Sequence, residues 1–219
     1  MSRVLWCAVV PTVLASAPVR AQVCAGLPSF HDRPTQVGGD AAFNKNGRSF
    51  GGFLGFGRDR TFGDLAVGTA HIDVYNAFAF TVSVEAGYQI PLAKNGRVQL
   101  CPGAGVGMLM GPKNINGSGV DYSETAIRVG ALLGGVAART AQVDVVPAGL
   151  IEFVNAHDKL LGPFTSTARS QSFGIVGLGV GFVFSGHVSI RPAVSIPFGI
   201  SGGSTSFGIS LAVNMRGGW

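Results

Sequence analysis

The sequence predicts an all-β protein, a closed antiparallel up-and-down β-barrel that crosses a membrane. Three observations predict it. Apolar and small or polar residues alternate with period two over stretches of roughly ten residues, the length a tilted strand needs to cross a bilayer. Bulky side chains crowd one face of each stretch, while the opposite face is mostly Gly, Ala and Ser. Charged residues make up only 12% of the 219-residue chain, hydrophobic residues reach 47%, and glycine occurs 34 times. That is too little polar surface for a soluble monomer, so the outer surface is hidden in lipid or in an oligomer. One domain accounts for the length. Outside the N-terminus there is no run of about eighteen apolar residues, which excludes transmembrane helices.

The first residues have the pattern of an export signal. Arg3 supplies a positive charge, and residues 4–17 are apolar apart from Pro11, Thr12 and Ser16. Val19-Arg20-Ala21 then offers small residues where a signal peptidase cuts, with cleavage before Gln22. Residues 1–21 are therefore assigned to the signal, 22–34 to a periplasmic N-terminal segment and 35–219 to the barrel. A retained anchor is disfavoured by the short apolar length. Lipidation at Cys24 is disfavoured because Ala21-Gln22-Val23 is a poor lipobox.

The strands follow in order. Residues 36–43 and 49–57 form a hairpin around Asn46-Gly47. Residues 62–74 are ambiguous, with apolar side chains on both faces. The clearest strand is 78–90: Phe78, Phe80, Val82, Val84, Ala86, Tyr88 and Ile90 share one face, against Ala79, Thr81, Ser83, Glu85, Gly87 and Gln89. A helix would put Phe78 and Phe80 about 200° apart. Residues 98–108, 127–137, 143–153, 174–184, 188–198 and 207–215 repeat the scheme. This gives about ten strands, or eight if the first hairpin is peripheral.

A face of Gly, Ala and Ser makes a poor water-facing surface but a good narrow interior. The large aliphatic and aromatic face is therefore assigned to lipid and the small face to the lumen. Connection lengths point the same way. Residues 185–187, 139–142 and 91–96 are short turns, whereas 199–205, 156–171 and 111–123 are longer. Short turns at one end and long loops at the other are the outer-membrane pattern.

With its signal segment, the Gly87-Tyr88-Gln89-Ile90-Pro91 strand end, the glycine-rich run Cys101 to Gly107 and its terminal strand, the chain resembles the small outer-membrane β-barrel proteins of Gram-negative bacteria. The last strand carries Phe207, Ile209, Leu211, Val213 and Met215 on one face, and the chain ends on the aromatic Trp219. The resemblance implies that these residues form the signal read by the barrel-assembly machinery. Arg216-Gly217-Gly218 separates Trp219 from the strand, which shifts that role towards Met215. The resemblance fixes an architecture and no single activity.

On this register Glu85, Arg128, Asp144, Glu152 and Arg191 face inward, with Asp40 beside them. Both signs are present and the barrel is narrow, so a salt-bridged, plugged lumen is expected, with a narrow ion path as the alternative. Removal of Cys7 with the signal leaves Cys24 and Cys101. An even pair in an oxidising compartment predicts a disulfide pinning the N-terminal segment at the periplasmic mouth. His31, His71, His157 and His187 lack metal-ligand spacing, and no cofactor is implied. His157-Asp158 lies near Thr165, Ser166, Thr167 and Ser170, which allows a hydrolase constellation that loop polarity explains equally well. The glycine run at 103–107 sits inside a strand and is no phosphate loop. The net charge of +5 comes from scattered basic residues, which argues against nucleic acid. The function expected is non-enzymatic: an envelope-structural barrel, or one that binds extracellular ligands, surfaces or lipopolysaccharide through loops 111–123 and 156–171. The runners-up are a porin-like channel and a barrel enzyme acting on lipid or protein.

Overall fold

The computed structural model describes residues 35–58, 60–93, 97–113, 115, 120–162 and 166–215. The export signal, Cys24 with its segment, and Trp219 lie outside them.

Ten long strands build the wall. They are β1 (Thr35–Asn44), β2 (Gly47–Arg58), β3 (Thr61–Ile72), β4 (Ala77–Tyr88) and β5 (Val98–Met110). The second half comprises β6 (Asp121–Gly135), β7 (Val143–Leu161), β8 (Ser166–Phe184), β9 (Val188–Phe198) and β10 (Ser206–Met215). Two short pieces, Ile90–Pro91 and Ala138–Arg139, pair with β5 and β7. Each strand pairs antiparallel with the next, and β10 returns to β1 with Val37 opposite Val213. The barrel is closed, and closure removes the exposed strand edges an open sheet would carry. The first hairpin is part of the wall. Asn46 N–H donates to the Asn44 side chain at 2.8 Å, the local turn bond that Asn supplies readily.

Following the register once round the wall accumulates a stagger of about 12 residues, which tilts the strands into the usual barrel range. Period-two alternation then sorts the side chains. Leu178 and Phe207 are each 64% exposed on the outside, while Gln36 is 0%, Glu152 2% and Arg191 4% exposed within. A water-soluble protein has the opposite sorting. The outward aromatics gather at two levels. Phe43, Phe50, Phe80, Phe153 and Phe198 lie towards the β1–β2 turn, and Phe56, Tyr88, Phe182 and Phe184 lie towards the other end. Edge-to-face pairs join Phe43 to Phe50 and Phe153 to Phe198, with ring centroids 5.8 and 6.3 Å apart. Two aromatic girdles bracketing an aliphatic band mark the levels where a bilayer meets water.

The ambiguous stretch 62–74 is β3, and its second apolar face has a specific cause. Phe62 points inward and covers Gly87, where a Cβ would overlap its ring. Phe53 covers Gly38 in the same way. A bare strand glycine leaves room for an aromatic from a neighbouring strand to lie across it.

One sequence expectation is corrected. Residues 156–171 are not a long loop: β7 and β8 continue as a hairpin with Leu161 opposite Ser166. Likewise β6 begins at Asp121, inside the predicted loop 111–123. Above the band the outward positions are Asn155, His157, Lys159, Ser170 and Ser172. With no lipid to face there, the alternation that marks a strand in the sequence disappears. Excess length at this end is carried as strand overhang. The upper connection of β7 and β8 covers only 162–165, so loop length does not by itself distinguish the ends.

Candidate functional site

The lumen is the site, and it is layered. Taken along the register with the stagger allowed for, Asp40, Asp64, Glu85, Arg128, Glu152 and Arg191 fall near one level midway along the barrel. Alternation turns all of them inward. Asp64, Arg128, Glu152 and Arg191 are buried. None of Asp40, Asp64, Glu85, Arg128 and Arg191 stands without a partner, and Arg128 acts electrostatically on Glu152. Opposite charges are what make such burial tolerable, because an unpaired ion out of water costs several kcal/mol or more. The structure thus brings Glu85, Arg128, Glu152 and Arg191 to one belt. Asp144 sits apart at the β6–β7 end, part-exposed, and its Oδ1 accepts from Arg139 Nε at 3.0 Å.

Two members of the interior were not found from sequence. Asp64 lies in the ambiguous stretch, opposite Glu85 in register. Glu124 lies three residues before the first alternating position recognised in its strand. Its carboxylate accepts a hydrogen bond from the Tyr122 hydroxyl at 2.9 Å and lies opposite Asp158, which is itself opposite Arg169. The register alone could have linked these three, but only after 156–171 was recognised as strand.

Towards the overhanging end the inward side chains become apolar. Ile72, Leu109, Val154, Phe173 and Ile175 form one buried cluster with Tyr122, and Ile115 from the β5–β6 connection joins it. Tyr75, in the 3-10 turn Asp73–Tyr75, packs on the same cluster with its ring 6.2 Å from that of Tyr122. Burial and the nearby Asp158 carboxylate raise the Tyr75 phenol above its ordinary range, so it stays a donor. A largely apolar cluster, with Glu124 and Asp158 beside it, therefore lies in the lumen above the charged belt.

The other end is mixed, with a small buried cluster of Val146 and Val183 and a polar seam. Gln36 Nε2 donates to Asn214 Oδ1 at 2.7 Å across the closing strand pair. Ser189 and Cys101 are fully buried at this level, and Cys101 is disulfide-bonded.

The hydroxyl-rich region gives a mixed result. His157 Nδ1 and Ser170 Oγ are 2.8 Å apart on the outer face, and Asn155 donates to Ser172 at 2.8 Å beside them. Asp158, the next residue along the strand, faces the lumen. Neighbouring strand residues point to opposite faces, so Asp158 does not orient His157, and no Ser/His/Asp triad forms among the described residues. His71 Nδ1 lies 2.9 Å from Asp73 Oδ1 at the rim, and His187 contributes its backbone carbonyl to Asn214. On the outer wall a trough of about 1010 Å³ is lined by Pro147, Gly149, Val180, Pro192 and Phe207. These are outward positions, so the trough is a dent in the lipid-facing surface rather than a solvent pocket.

No family model matches the chain. No curated protein matches it. Among solved structures it is similar to the N-terminal β-barrel domain of Pseudomonas aeruginosa OprF, at 10% identity and a TM-score of 0.41, covering 84% of this chain and 98% of that one. It is similar to Neisserial surface protein A at 14% identity and a TM-score of 0.41, covering 84% and 97%. The KdgM porin is similar at 7% identity and a TM-score of 0.41, covering 83% and 99%. The fold rests on the strand register and not on these likenesses.

Proposed function

We propose that this protein is a non-enzymatic outer-membrane barrel whose lumen is closed, and that it works through its outer surface. In this role it stabilises the envelope or holds extracellular ligands, surfaces or lipopolysaccharide. The largely apolar cluster of Leu109, Val154, Phe173 and Ile175 in the lumen carries the reading. A hydrated ion moving through would have to shed much of its water to pass this packed cluster, beside which Glu124 and Asp158 are already engaged with Tyr122 and with each other. The charged belt beneath it, in which Arg128 engages Glu152, adds a second barrier.

Lipid and the barrel-assembly machinery are the partners this architecture implies. Outer-face Phe207, Ile209, Leu211, Val213 and Met215 of β10 would present the assembly signal. The surface for other ligands is the β7–β8 overhang, whose outer face carries Asn155, His157, Lys159, Ser170 and Ser172 above the aromatic girdle. Among the described residues, the feature that favours an enzyme is the His157–Ser170 pair. It lacks an acid to orient the imidazole, which a Ser nucleophile needs for efficient activation.

Planar-bilayer recording of the purified barrel tests the proposal: no steady conductance is expected, and a stable open level would overturn the closed lumen. A serine-reactive phosphonate probe tests the enzyme alternative. Labelling of Ser170 that is lost on His157→Ala would favour it.

A further inference from the structure

We propose that the trough on the outer wall is a seat for one glycerophospholipid, with an acyl chain along the groove and a headgroup hydroxyl or ammonium donating to the backbone carbonyl of Val180. The proposal rests on the outer-membrane reading and says which lipid that wall selects.

The groove exists because outward side chains are short on three neighbouring strands. Gly135 of β6, Pro147 and Gly149 of β7 and Pro192 of β9 line it, while Leu178 and Phe207, each 64% exposed, stand up beside it. It starts by Gly135 and Ala137, where β6 ends, and runs obliquely across Pro147, Val180 and Pro192 to Phe207 on β10. The end at which it starts also holds the first residue of β1 and the last of β10, the periplasmic side of an outer-membrane barrel.

Two prolines give this groove a polar point. In an antiparallel ladder a strand carbonyl accepts from the N–H of the residue directly opposite. Val180 lies opposite Pro147 on the β7 side. On the β9 side, the pairing of Gly179 with Ala193 and of Phe182 with Ile190 puts it opposite Pro192. Proline has no N–H, so whichever way the Val180 carbonyl turns, the residue across from it has no bond to return. The β8–β9 ladder breaks at this point, skipping Val180 and Gly181 and resuming at Phe182. An acceptor left without a donor in hydrocarbon is costly, because no water is at hand. Val180 is two residues from Phe182 of the aromatic girdle, roughly 7 Å along the strand, within reach of a headgroup at the bilayer surface.

Charge at the starting end suits a phosphate. Arg97 and Arg139 are both exposed there. The Arg97 carbonyl accepts from Val136 N–H at 2.9 Å, and Arg139 follows Ala137 by two residues. Arg139 also holds Asp144, with 59% of its side chain still exposed. A second copy of the barrel is the poorer occupant. Between the girdles the outward side chains are apolar, so a facing wall brings no donor to Val180, and in lipid it gains nothing by burying apolar surface.

The test is native mass spectrometry of barrels released from nanodiscs of equal parts phosphatidylethanolamine, phosphatidylglycerol and phosphatidylcholine with identical acyl chains. The choline headgroup has no donor, whereas the other two have one. A single lipid should stay on each barrel, with the donor-bearing headgroups enriched about fivefold, the worth of one hydrogen bond. Pro147→Val combined with Pro192→Val restores N–H groups on both sides of Val180 and should abolish that preference. Gly149→Leu should remove the retained lipid altogether. A Cβ at Gly149 meets only ordinary contacts, the nearest being Leu178 at 3.6 Å, so the larger side chain fills the groove without straining the wall. Heat-modifiable gel migration checks that each variant folds. Equal retention of the three lipids, a preference that survives the proline changes, retention untouched by Gly149→Leu, or a lipid-free dimer would each overturn the proposal. Bilayer conductance judges the closed lumen separately, so either reading can fail while the other stands.

Discussion

Leu178 sits near the middle of the outer wall with most of its side chain exposed. In a soluble protein, Leu178→Arg would change stability by no more than a few tenths of a kcal/mol, because surface substitutions usually do little. On a lipid-facing wall at this depth it should cost about 2–4 kcal/mol. Urea unfolding in phospholipid vesicles distinguishes the two, and an unchanged midpoint would remove the lipid assignment. The interior offers the complementary case. Arg128→Met leaves Glu152 buried without its main opposite charge, so a loss of roughly 3–5 kcal/mol is expected. The double change with Glu152→Gln should recover part of that loss, since the cost lies in the stranded carboxylate rather than in the missing contact. No recovery would mean that the two residues are not coupled.

At the scale of the element, the sheet is shaped by aromatic side chains lying over glycines. Gly87→Ala places a methyl group against the Phe62 ring and should destabilise the barrel by about 1–3 kcal/mol, as overpacking does. Combined with Phe62→Ala it should cost less than the two changes added, the remainder coming from the Pro102 carbonyl that the same methyl meets, and a double-mutant cycle measures the coupling directly. The β7–β8 overhang should behave differently. Replacing residues 160–167 by Asn-Gly keeps Lys159 opposite Ala168, the pairing present in the native hairpin. Heat-modifiable gel migration should be retained, because no lipid-facing position is removed. Loss of folding would show that the overhang is part of the barrel core.

For the whole molecule, architecture was legible in the sequence because lipid imposes one chemical rule on every wall strand. Phe78 to Ile90 and Phe207 to Met215 obey it so fully that the strand, its face and its direction all follow. Legibility ended where that rule ends. Above the bilayer, Asn155, His157 and Lys159 on one face and Asp158 and Leu160 on the other have no common solvent to sort them, so a hairpin looks like a loop. Inside the lumen, Phe53 and Phe62 broke the small-residue pattern because they fill space over glycines of the neighbouring strand, Gly38 and Gly87. The inward charges were visible one at a time, but their grouping into a belt depends on stagger, a property of the closed wall that no local window contains.

That closure has a consequence for how the protein comes into being. Gln36 and Asn214, joined by a hydrogen bond across the seam, are separated by 178 positions along the chain. The opening strand therefore waits for the very last one before its outer edge is satisfied, and contacts of such long range are slow to form. Until then every shortened or half-translocated chain carries two unsatisfied rims and a greasy exterior. A nascent form of this kind is prone to pair with a sister molecule, and truncation anywhere before β10 should yield aggregates rather than a smaller working barrel.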